Sequence, residues 1–127
     1  MFLILPLNPV PASRPRVSKW GTYYAKTYAN FKKQAAHVVP VAISEQGLEG
    51  CPLTGPLSID IKFFARRPKK TALQYPKWDT DNGAKAVLDS LNTHLFSDDN
   101  QVIQLTATKA WAEPEQDGWI EVTVEDY

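Results

Sequence analysis

Residues 57–65, LSIDIKFFA, alternate strictly: Leu57, Ile59, Ile61 and Phe63 point one way, and Ser58, Asp60 and Lys62 the other. That two-residue period predicts a strand with one face in a core. The same period predicts strands over 101–112, with Ile103, Leu105 and Ala107 inward, and over 118–127, with Ile120, Val122 and Val124 inward. Residues 113–118, EPEQDG, are expected to join those two strands as a hairpin connection. Residues 2–7, FLILPL, suit a first strand ending near Pro9. The period changes to that of a helix twice. Tyr28, Phe31, Ala35 and Val38 recur at helical spacing after Thr27, a potential cap, and Pro40 is expected to kink or end that helix. Ala84, Val87, Leu88, Leu91 and Leu95 form the apolar stripe of a second helix running from about 82 to 92.

The predicted order is β-α-β-α-β-β. It implies an α+β fold in which two main helices pack on a mixed sheet. With 127 residues, the chain is expected to be one domain over 1–127. Residues 8–22 carry three prolines, Pro9, Pro11 and Pro15, and are expected to form a stiff extended loop. Hydrophobic residues make up 43% and charged residues 22%, so the chain is globular rather than disordered. Cys51 is the sole cysteine and has no partner for an internal disulfide. The N-terminal MFLILPLNPVP lacks a basic leader, Pro6 interrupts its apolar run, and no stretch is long enough to span a membrane. These features point to the cytoplasm.

The formal net charge is zero, but the charges are segregated. No acid precedes Glu45. Six bases lie between Arg14 and Lys33, and six more between Lys62 and Lys77. The acids gather in 79–99 and in the tail from Glu113 to Asp126. Two basic blocks flanking an acidic pocket suit a surface that tracks phosphates around a cation, although charged loops are also ordinarily solvated.

The acidic cluster reads KWDTDNGAKAVLDSL over 77–91, followed by FSDDNQV over 96–102. Asp79 and Asp81 share one side of an extended segment. Lys85 lies one helical turn beyond Asp81, and Asp89 one turn beyond Lys85. The helix start and the turn at 97–100 are expected to meet at one end of the sheet, bringing Asp98 or Asp99 towards Asp79 and Asp81. Two carboxylates at 4 Å repel by about 4 kcal/mol at an effective dielectric near 20, so three together need protons or a cation. Oxygen donors without histidine or cysteine favour magnesium or manganese over zinc. Each piece also has a plainer explanation. Asp-x-Asp before a helix serves as a cap, Lys85–Asp89 is an ordinary surface pair, and Asp98–Asn100 is a polar turn. Asp89 is expected to be structural, because successive steps of four drift round the helix away from Asp81.

The ordered motif DTDNGAKAVLDSL…FSDDNQV resembles that of the RusA-type Holliday-junction resolvases. The likeness extends to SRPRVSKWGTYYAKTYANFKK, to GPLSIDIKFFARRPKK and to Lys109 near the end of the penultimate strand. The resemblance implies a homodimeric, magnesium-dependent endonuclease, with manganese as a possible substitute, that nicks four-way DNA symmetrically in recombination and repair. It assigns metal binding to Asp79, Asp81 and Asp99, and an essential catalytic role to Lys85. Arg14, Arg16, Lys19, Lys69, Lys70 and Lys109 become the candidate DNA contacts, with Asp98 and Asp89 as weaker site candidates. The sequence departs from the family pattern at Thr80 and Gly83, where apolar residues are common. A nuclease for other branched DNA and a non-catalytic nucleic-acid-binding module are the rival readings.

Overall fold

The central strand β4 (Leu57–Ala65) buries Leu57, Ile59, Ile61, Phe63 and Ala65 on one face. The alternation thus fixes which side of the sheet carries the helices. A computed structural model describes residues 1–13, 16–19, 21–23, 26–47 and 52–127, without the side chains of 16–18 and 21–23. Around β4 stand β1 (Phe2–Leu5), β5 (Val102–Trp111) and β6 (Trp119–Asp126), in the order β1-β6-β4-β5. β4 runs parallel to β5 and antiparallel to β6. The helices are α1 (Lys26–Glu45) and α2 (Thr80–Leu91). The expected α+β class and the order of the main elements match this architecture. A short antiparallel pair, β2 (Arg16–Ser18) and β3 (Gly21–Tyr23), lies largely in the segment 8–22 expected to be an extended loop.

The core lies between the sheet and the helices. Tyr28, Phe31, Ala35, Val39, Ala42 and Ile43 of α1 meet Ala84, Ala86, Val87 and Leu91 of α2 and the inner faces of β1, β4 and β6. Leu95 and Phe96, just past α2, are fully buried and close the far end. No helix among the described residues is long and apolar enough to cross a membrane.

Three local expectations change. β5 and β6 are not a hairpin, because β4 lies between them and pairs with both. Residues 112–118 therefore cross the end of β4, tied there by the Ala112 amide donating to the Ala65 carbonyl at 2.8 Å. β4 gains two neighbours this way, and its apolar face is shielded on both sides. Secondly, β5 is an edge strand. Ile103 and Leu105 point to the helix side but remain 55% and 44% exposed, because the helices cover the middle of the sheet. Thirdly, α1 continues through Pro40, and Thr27 sits inside its first turn rather than capping it. Pro40 faces solvent while Val39, Ala42 and Ile43 anchor the helix on both sides of it. Packing outweighs the lost backbone hydrogen bond.

Pro40→Ala restores that N–H and removes the ring clash without disturbing a buried contact. It should stabilise the protein by roughly 1–2 kcal/mol, the helix gain being partly offset by a looser unfolded chain. Urea denaturation measures this; a lower midpoint would show that the proline fits the helix without cost.

Candidate active site

Asp79 occupies the N-cap of α2 with extended backbone angles, but its side chain makes no capping hydrogen bond. A capping aspartate normally spends one oxygen on the backbone amides of the first turn. Here that carboxylate is exposed and uncommitted, beside Asp81, which is exposed in the first turn. The positive end of the helix offsets part of their mutual repulsion. Lys85, one turn further on, is also exposed, so its ammonium shares the solvent side of the helix with Asp81.

The backbone around Asp79 is held from behind. Trp78 is half-buried and meets the Phe63 ring edge-on, with centroids 5.2 Å apart. A Cβ on Gly83 would lie 2.6 Å from Trp78 and 3.2 Å from Phe63. The departure from the family pattern at position 83 is thus explained by space: the glycine admits the indole. Trp78 is a packing residue here. Trp20 lies outside the described residues. Lys109 of β5 donates from Nζ to the Trp78 carbonyl, and its ammonium lies 5.6 Å from the Tyr75 ring centroid and 5.5 Å from that of Trp78.

Asp99 stands elsewhere. It opens a 3-10 turn, Asp99–Gln101, immediately before β5. Asp98 caps that turn through its side chain, accepting from the Asn100 amide at 2.9 Å. Gln101 secures it by accepting from the Ser97 and Asp98 amides, both at 2.9 Å, and donating to the Leu53 and Gly55 carbonyls, both at 3.0 Å. Asp98 is therefore occupied structurally. The Asp99 carboxyl is pushed above its ordinary value by a hydrogen bond with the Asp98 side chain, then by slight burial and by the negative charges of Asp98 and Asp89. Asp89 itself accepts from the Tyr28 hydroxyl at 3.4 Å, joining α2 to α1.

Asp99 thus shares the far end of α2 with Asp89. The rise from Asp79 to Asp89 is about 15 Å. β5 gives a second ruler: Lys109, which holds the Asp79 end, is about 23 Å along the strand from Val102, beside Asp99. The expectation that Asp99 meets Asp79 and Asp81 within one chain is corrected on this point. The start of a helix and the turn that follows its end lie a helix length apart unless a long connection returns, and residues 92–98 are too short for that. No group of three or more histidine, cysteine, aspartate or glutamate side chains arranged to hold a metal occurs among the described residues.

The basic residues favour the Asp79 end. The Ala12 amide donates to the Asn82 carbonyl at 2.9 Å, which ties the N-terminal arm to the first turn of α2. Arg14 lies outside the described residues, Arg16 opens β2, and Lys19 is exposed in the turn after it. Lys69 and Lys70 are exposed on the loop leaving β4 at the end where Phe63 pairs with Lys109. Arg66, at the base of that loop, is paired with Asp117 at 2.6 Å.

Residues 6–125 match the family described as endodeoxyribonuclease RusA. The chain is also 32% identical over 121 residues to the uncharacterized protein YqaN of Bacillus subtilis (strain 168), covering 84% of each chain.

Asp98→Asn keeps the capping oxygen but removes one of the charges crowding Asp99. A raised carboxyl is a stability penalty that appears as pH rises through the unfolded value and is complete above the folded one. In metal-free buffer, Asp98→Asn should therefore melt higher than the parent at pH 7, and the gain should vanish below about pH 3.5. An equal gain at both pH values would show that repulsion is not its source.

Proposed function

The chain belongs to the endodeoxyribonuclease RusA family, whose members cleave Holliday junctions; on that premise we propose that it resolves four-way DNA by paired nicks at two sites, each shared between two copies of the chain. Asp79 and Asp81 of one copy and Asp99 of the other hold a divalent cation, with magnesium the natural ion and manganese a substitute. The observation that carries this reading is the uncommitted Asp79 carboxylate at a helix cap, with Asp81 beside it. The donor set suits a hard cation, being all carboxylate oxygen. When bound, such a cation supplies charge stabilisation at the phosphate and makes water a usable nucleophile at neutral pH.

The remaining work falls to the chain's own groups. Lys85 sets its ammonium beside the scissile phosphate and stabilises the charge that develops there. Asp98 and Gln101 keep Asp99 at a fixed height above the start of β5. Arg14, Arg16, Lys19, Lys69 and Lys70 position phosphates of the junction arms. The separation of Asp99 from Asp79 supports a homodimer, because a second copy can return the missing carboxylate. The free edge of β5, with Ile103 and Leu105 exposed, is the surface that suits it. Antiparallel pairing of two such edges brings the Asp99 end of one copy against the Lys109 end of the other. Two sites related by a two-fold axis then match a branch of similar symmetry. This reading places the protein in recombination and repair in the cytoplasm, as one nuclease domain.

Asp81→Asn should keep the fold and retain a labelled four-way junction in a gel, yet lose at least about a hundredfold in magnesium-dependent nicking. Nicking at the parent rate would remove Asp81 from the site. Equal cleavage of junction, flap and linear duplex by the parent protein would remove the preference for junctions.

A further inference from the structure

Lys109 is the cation that the resemblance offers as a DNA contact, but its surroundings give it another task. It is half-buried on the helix-facing side of β5, opposite Phe63 of β4. Its ammonium donates to the Trp78 carbonyl and lies near the rings of both Tyr75 and Trp78. Two residues along the same face of β5, the Trp111 indole N–H donates to the Leu73 carbonyl at 3.0 Å. Two side chains of one strand thus grip the loop before α2 at two carbonyls, and the Lys109 grip falls on the residue adjoining Asp79.

We propose that Lys109 is a positioning residue for the metal site: it fixes the Trp78 carbonyl, and through it the backbone and carboxylate of Asp79, rather than binding a phosphate. The Asp79 carboxylate has no capping bond to orient it, so its direction depends on the backbone that carries it. That backbone is held by the Trp78–Phe63 contact and by Lys109, which are neighbours on one face of the sheet. An ammonium between two aromatic faces suits this task, because the rings replace part of its hydration while its N–H groups remain free to donate. A neutral side chain of similar length fills the space but lets the carbonyl turn. This inference rests on the assignment of Asp79 to the metal site and adds what sets it there.

Lys109→Met tests it with two separate readouts. The first is binding of manganous ion alone to the purified protein, followed by electron paramagnetic resonance. The second is retention of a four-way junction without divalent metal across a salt series. The proposal expects roughly tenfold weaker manganese binding, the size seen when a group supporting a ligand is lost, with junction affinity and its salt slope unchanged. Tyr75→Leu, at an exposed ring, should shift manganese binding in the same direction by less, and it serves if Lys109→Met fails to fold. Unchanged manganese binding with a salt slope reduced by about one would make Lys109 a phosphate contact and overturn the proposal. No change in either would overturn it too. Failure of the site assignment shows separately, as an Asp79→Asn variant that binds manganese like the parent.

Discussion

Helix α2 lies alongside β5 and runs against it, and its length keeps two groups of carboxylates apart. Asp79 and Asp81 stand at its entry, and Asp89, Asp98 and Asp99 gather at its exit. Neither group can move towards the other without unfolding the helix. Ala84, Val87 and Leu91 are buried against the sheet, and Leu95 and Phe96 seal the turn beyond. The same packing that makes the helix stable therefore keeps the carboxylates of each chain in two separate groups. On the proposed reading, a second copy supplies the opposite end.

The two ends differ in how their charges are handled. At the exit, Asp99 and Asp98 share a hydrogen bond that favours a retained proton, and Gln101 locks the turn so that the pair cannot separate. At the entry, the helix terminus opposes the carboxylates' repulsion, and the Asp79 side chain makes no capping hydrogen bond. Asp99 has its charged form disfavoured by its neighbours, through the Asp98 side chain first. Gly83, Phe63 and Lys109 hold Trp78, the residue next to Asp79, at the entry of the helix.

Much of this was legible in the residues. The strict alternation over 57–65 identified the central strand to the residue, because a strand with one buried face cannot slip by one position. The helical stripe through Ala84, Val87 and Leu91 and the motif around Asp79 were equally plain. Sequence could not show that β4 would slip between β5 and β6, since a six-residue connection serves a hairpin or a short crossover alike. Nor could it show that Ile103 and Leu105, patterned like core residues, would lie beyond the reach of the helices. The convergence expected for Asp99 failed because periodicity places residues on faces but not at ends. The grip of Lys109 on the Trp78 carbonyl carries no local signal, as it joins residues 31 apart in sequence.

Subunit mixing tests the central claim most directly. Asp79→Asn and Asp99→Asn proteins, each inactive alone, are dissociated, combined in equal amounts and reassociated, then given a four-way junction and magnesium. In a shared site, one of the two centres in every mixed dimer regains all its carboxylates. The mixture should then nick single strands with up to about a quarter of the parent's sites active, and few junctions should be cut on both strands. A mixture as inactive as its components would contradict the account, because it would mean that all three carboxylates must come from one chain.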